Sequence, residues 1–185
     1  MSERRRAKKT ISLFWVILLV VLICGNFAIQ WSRTQTPKDG ENWVVKRVVS
    51  GQTIEAALAT DDTGVVQRIR LIGISSPLRE QSPWGDRARE QLEKLIKDQT
   101  VVFEFDVDRK DSSDRLLAYI WSGDRLINLQ LIEEGYVLFD LMPPNVRYDA
   151  MLKRAQSEAR LLENGIWDSQ NPMRLTPKEF RRQLN

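Results

Sequence analysis

The chain contains no histidine and one cysteine, Cys24, in 185 residues. The missing histidine excludes every His-based triad, every His general acid or base and every His-ligated metal within the chain. A lone cysteine cannot close an internal disulfide, so it assigns no redox compartment. There is also little net charge once its place is known. The formal charge is +3, from 28 Lys and Arg against 25 Asp and Glu, and the pI is near 9.1. Arg4, Arg5, Arg6, Lys8 and Lys9 precede residue 31 with Glu3 as the only acid, which leaves 23 basic and 24 acidic residues beyond. The basic pI belongs to the N-terminus, and bulk charge gives no argument for nucleic-acid binding. Neither internal repeats nor low-complexity tracts occur.

Long apolar runs are confined to one place. "ISLFWVILLVVLICGNFAIQW", residues 11–31, is unbroken in apolarity from Leu13 to Cys24 and carries no charge. About 20 helical residues cross the hydrocarbon core of a bilayer. Trp15 and Trp31 suit its two interfaces. The basic residues 1–10 precede the span, so the positive-inside rule keeps them cytoplasmic and delivers the rest to the other side, periplasmic or, in a thylakoid, lumenal. A cleaved secretory signal is the rival reading, but Asn26-Phe27-Ala28 is a poor cleavage site, and the bulky Ile23 argues against lipidation at Cys24. The expectation is an uncleaved signal anchor, a polar linker over 32–42, a domain over 43–169 and a loosely attached polar tail over 170–185.

Within the domain, "WVVKRVVS" and "TIEAALA" read as strands around a turn at Gly51, and Val65 to Ile74 as a third strand. Trp84 to Lys97 switches to helical period, with Ala88, Leu92, Leu95 and Ile96 on one face and Ser82-Pro83 as its start. "TVVFEFDV" and "RLLAYIW" return to strands around the charged loop "DRKDSSD". Helices follow at Ile127 to Glu134, stopped by Gly135, and at Tyr148 to Glu163, stopped by Asn164-Gly165. The order βββ-α-ββ-α-α predicts an α+β fold: a small OB-type five-stranded barrel capped by about three helices.

Local words in that order resemble the staphylococcal nuclease (thermonuclease-like) family over roughly Val44 to Ser169. "VVSGQTIE" matches its DGDT-type turn and "IRLIGISSP" its R-L-x-x-x-D-T-P strand end. "SPWGDRAREQLEKLI", "DSSDRLLAYIW", "INLQLIEEGY" and "AQSEARLLENGIW" match further helices and strands. The resemblance implies a calcium ion held by two aspartates and a threonine carbonyl, a glutamate that acts as or positions the base, and two arginines that neutralise phosphoryl oxygens.

Those positions are changed. The metal aspartates fall on Gln52 and Ser75, the threonine on Ser76 and the glutamate on Leu78, whereas the arginines remain as Arg70 and Arg115. The nucleotide-facing aromatics that the resemblance implies, a tyrosine in the loop before the second arginine and another aromatic after the "INLQLIEEGY" helix, give way to Ser112-Ser113 and to "FDLMPPN". The expectation is therefore no cofactor, calcium entering only under a nuclease alternative. The expected role is a binding, accessory or assembly component of a membrane protein complex. Two alternatives are carried: a phosphodiesterase on DNA or RNA with Glu80 as a relocated acid, and a non-catalytic nucleic-acid or anion binder through Arg70 and Arg115. Asp114, beside Arg115, is the expected partner if that arginine is structural. Trp84, Trp121 and Trp167 are read as core cover in preference to partner anchors.

Overall fold

The computed structural model describes residues 37 and 40–184. The expected membrane span at 11–31, its basic flank at 1–10 and most of the 32–42 linker lie outside the described residues. Among the described residues no helix is long and apolar enough to cross a membrane.

Five strands build a closed barrel. Strand β1 (Glu41–Ser50) turns into β2 (Thr53–Leu58), and β2 into β3 (Val66–Leu71), all antiparallel. After β4 (Ile74–Ser75) and helix α1 (Trp84–Ile96), β5 (Thr100–Glu104) pairs with the start of β1, and β6 (Leu116–Ser122) with β5. Closure comes from a parallel pairing of β3 with β6, Ile69 opposite Leu116 and Leu71 opposite Ala118. Two register shifts in β1, at Val45/Arg47 and Val48/Ser50, supply the bending that a small barrel requires. The expected third strand does not run to Ile74. It stops at Leu71, because Gly73 takes a positive φ of 74° and turns the chain, a conformation that costs glycine little. A side chain at Gly73 would also meet Leu152, 2.5 Å from its Cβ position.

The short β7 (Arg125–Leu126) leads into α2 (Ile127–Glu133). Strand β8 (Leu138–Phe139) pairs with β4, and α3 (Asp149–Leu161) is followed by a 3-10 turn (Gly165–Trp167). Ile54, Ile69, Leu71, Phe103, Ile120 and Trp121 fill the barrel, and Ala88, Leu92 and Ile96 of α1 pack onto the same core. Trp84 joins Leu138 and Ile166 in a smaller cluster that Trp167 and Met173 cover, so these tryptophans serve packing. A fourth helix, α4 (Pro177–Leu184), forms in the segment expected to be a loose tail. Thr176 and Glu179 start it as a capping box, the Thr176 hydroxyl and the Glu179 carboxylate bonding at 2.7 Å. Pro177 is buried and the Leu175 carbonyl accepts from Gln81 Nε2 at 2.9 Å, so this segment is fastened to the barrel.

A buried carboxylate closes the end of β5. Glu104 accepts from Trp121 Nε1 at 2.8 Å and from the Tyr148 hydroxyl at 2.9 Å, and pairs with Arg147. Tyr148 packs edge-on against Tyr119, ring centres 4.8 Å apart. It is a packing residue at the head of α3.

Candidate functional site

The hairpin Ser50-Gly51-Gln52-Thr53 lies tight against α1 and the segment after β4. A Cβ on Gly51 would come within 2.6 Å of Ala88 Cβ and 2.9 Å of Ser76 Cβ, so only glycine lets these elements meet. Gln52 is anchored there by its carbonyl, which accepts from Leu71 N at 3.0 Å. Its side-chain oxygen turns inward and accepts from Ser76 N at 2.6 Å. The Ser76 hydroxyl, buried, donates to the Pro77 carbonyl at 3.2 Å. The hairpin and the loop are thus joined directly by an amide.

Arg70 projects from β3 next to this junction and is almost wholly buried, its side chain 7% exposed. Its two terminal nitrogens donate to the carbonyls of Leu71 and Ile74, so the guanidinium holds the very turn that ends its strand. Asp140 Oδ2 stands 3.6 Å away. It is placed by the β4–β8 pairing and by a bond from its own N–H to the Gly73 carbonyl at 3.0 Å. Burial pulls the Arg70 pKa down to about 10, opposed by Asp140 and Asp111 and reinforced by the charges of Arg115 and Arg181.

Arg115 opens the segment that becomes β6. Its Nε and Nη2 reach Asp111 Oδ2 at 2.8 and 2.6 Å. The partner expected from sequence was Asp114, and the structure corrects this. Asp114 takes a positive φ of 59° and points its carboxylate to Lys110 at 2.7 Å. Asp111 holds the turn, accepting also from the amides of Ser113 and Arg115 at 2.9 and 3.1 Å. Burial would raise the Asp111 pKa, but the guanidinium and the two amides outweigh it and hold the carboxyl below its ordinary value. An open groove of about 470 Å³ lies beside it, lined by Arg68, Ser113, Asp114 and Arg115.

Leu78 is half-buried in the loop after Pro77, and Glu80 is exposed in the turn that follows. Gln81 fixes this turn: its Oε1 accepts from Leu78 N at 3.0 Å and its Nε2 donates to Leu175. Gln52, Ser75 and Ser76 therefore come together with Arg70, while Glu80 lies on the surface of the turn. Sequence reasoning missed Asp140, Asp111 as the grip on Arg115, and Gln81. Asp111 stands four residues before its arginine and was legible as such; Asp140 is 70 positions from Arg70, and only the folded β4–β8 pairing joins them.

The sequence pattern of the family described as "Staphylococcal nuclease homologue" matches residues 68–169, more than half of the chain. The chain belongs to this family. A thermonuclease of Staphylococcus intermedius is 34% identical over 163 residues, covering 84% of this chain and 95% of the relative. A thermonuclease of Staphylococcus hyicus is 31% identical over 134 residues, covering 70% and 77%. An uncharacterized endonuclease of Escherichia coli is 26% identical over 130 residues, covering 70% and 78%. As a staphylococcal nuclease homologue, the protein invites the question of a calcium ion. Calcium takes six to eight oxygen ligands, with carboxylates supplying the charge. Here the donors at the matching positions are an amide oxygen already bonded to Ser76 N, the Ser75 hydroxyl and the Ser76 backbone carbonyl, none of them a carboxylate. Among the described residues no group of three or more Asp, Glu, His or Cys is placed to hold a metal. This homologue's donor set does not fit calcium.

Proposed function

We propose that the chain is a membrane-tethered, non-catalytic staphylococcal nuclease homologue whose barrel acts as a binding or assembly component of a membrane protein complex. The observation that carries the reading is the Gln52 side chain, whose oxygen is engaged by Ser76 N at 2.6 Å where a metal carboxylate would stand. Neutral donors offer no charge to offset the dehydration of a doubly charged ion. Leu78 supplies no proton acceptor at the base position, and loss of a general base alone lowers rates by about 10²–10⁴. Arg70 and Arg115 are bonded to carbonyls and to Asp111, so the cations that would meet a phosphate hold turns of the fold. The apolar sequence 11–31 and its basic flank supply the tether, with the barrel on the non-cytoplasmic side.

A second reading, divalent-dependent phosphodiester hydrolysis, is favoured by the relatives' names, which are those of nucleases. It requires Glu80 to leave its exposed turn and act as the acid. Incubating the full chain in mild detergent with DNA and RNA, in calcium, magnesium or manganese, separates the two. No cleavage is expected. Cleavage that Glu80→Ala abolishes would overturn the non-catalytic reading. A matching measurement is calcium titration by calorimetry: no uptake is expected for the native chain, and uptake for the combined Gln52→Asp, Ser75→Asp, Leu78→Glu variant. Purification in mild detergent with a co-migrating membrane complex supports the assembly role, and a free monomer opposes it.

A further inference from the structure

We infer that a second groove, beside the degenerate site, docks an acidic segment of a protein partner, with Arg79 as its main contact. The inference rests on the non-catalytic binding reading and names the chemistry of the partner. The groove has a volume of about 280 Å³ and is walled by Arg47 and Ser50 of β1, Pro77 and Arg79 of the loop, and Asp86 and Arg89 of α1. Three arginines from three separate elements face one space.

Two of them are already matched. Arg47 grips Glu55 through two bonds of 2.9 and 2.8 Å, and Arg89 reaches Glu93 at 2.8 Å. Arg79 has no hydrogen-bond or ion-pair partner among the described residues. It is nevertheless rigidly presented. Gln81 N donates to Leu78 O at 2.9 Å and Leu78 N to Gln81 Oε1 at 3.0 Å. A Cβ on Gly85 would lie 2.0 Å from Leu78 O and 2.8 Å from Arg79 Cα, so the first turn of α1 rests directly on this backbone. A cation on a fixed turn has little backbone freedom left to lose on binding.

The ligand class follows from the lining. A guanidinium pairs bidentately with a carboxylate. Asp86 repels phosphates and carboxylates alike, but it accepts the N–H groups of a polypeptide. No aromatic ring lines the groove, so bases have nothing to stack on. An acidic peptide offers a carboxylate to Arg79 and backbone N–H donors to Asp86; a phosphodiester backbone offers anions alone.

The test uses the full chain in detergent and a fluorescein-labelled hexaglutamate peptide, followed by anisotropy. Saturable binding that weakens with added salt is expected. Arg79→Ala should weaken it about tenfold, the worth of one charge-assisted hydrogen bond, and Arg79→Glu more. Arg125→Ala, at the start of β7, should leave it unchanged. Arg79 is exposed, so the variants should melt with the native chain, and a melt run alongside verifies it. No saturable binding, or binding indifferent to Arg79→Ala, overturns the proposal. So does tighter, Arg79-dependent binding of oligothymidylate. Nuclease activity measured on the same preparation is an independent arm. Cleavage together with Arg79-dependent peptide binding removes the non-catalytic reading and keeps the groove, whereas silence in both assays removes only the groove.

Discussion

The polar cluster around Glu104 and the one around Gln52 sit on the same barrel and differ in charge. Glu104 is a carboxylate, 8% exposed at its side chain, that gathers an indole, a phenol and a guanidinium. Gln52 is a neutral amide that gathers one backbone N–H. A buried carboxylate is stable only where donors converge on it, and the fold meets that condition at Glu104. In the second cluster the same barrel presents arginines instead, and turns them onto its own carbonyls. The difference teaches that the candidate site is satisfied from within, leaving neither an open charge for a cation nor a free guanidinium pair for a phosphate.

The largest effect expected from breaking this contrast is at Glu104. Glu104→Ala should cost about 3–5 kcal/mol, because Trp121 Nε1 is left buried without an acceptor and Arg147 without its partner. Denaturant unfolding measures it, and a loss under about 1 kcal/mol would show the cluster to be ornamental. Next comes Arg70→Ala, with an expected cost of about 2–3 kcal/mol from two carbonyls deprived of donors and a buried stem removed. Should stability stay unchanged while anion binding disappears, Arg70 would return to ligand duty and the comparison would fail.

Asp111→Asn is expected to cost about 1 kcal/mol near neutrality and to alter the acid limb. The Asp111 carboxyl is held below its unfolded value of about 3.9. Its contribution is thus complete above that pH and is lost as pH falls through the folded value. Midpoints of urea unfolding between about pH 2 and 6 should converge for native and variant chains at the acid end. The smallest effect belongs to Asp140→Asn. Asp140 is 50% exposed and 3.6 Å from Arg70, so water screens it and less than about 1 kcal/mol is expected. A larger loss would mean that Arg70 depends on charge more than on the two carbonyls.

Strand alternation and helical period made most of the barrel legible. Ile54 and Ala56 are buried and Glu55 faces outward to Arg47 and Arg68, as a half-buried β2 requires. The break after Leu71 escaped notice because Ile72-Gly73-Ile74 continues an apolar run, and apolarity does not report a positive φ. Helix α4 was missed because "PKEFRRQL" is too polar to announce a buried face, and its capping box at Thr176 was the available signal. At the site, the replaced positions could be read residue by residue. What replaced their interactions could not, because the bond from Ser76 N to Gln52 Oε1 and the approach of Asp140 to Arg70 join segments distant in sequence.

Gln81 has one further implication. The loop bearing Leu78 and Arg79 is clasped through Leu175, 94 positions along the chain from Gln81. That clasp cannot form before Leu175 itself has been made, so a product cut short ahead of Leu175 would have its barrel strands but an unfastened loop. A protease cutting between the barrel and Leu175 would loosen the same spot, so integrity of the segment leading into α4 becomes integrity of the surface beside the candidate site.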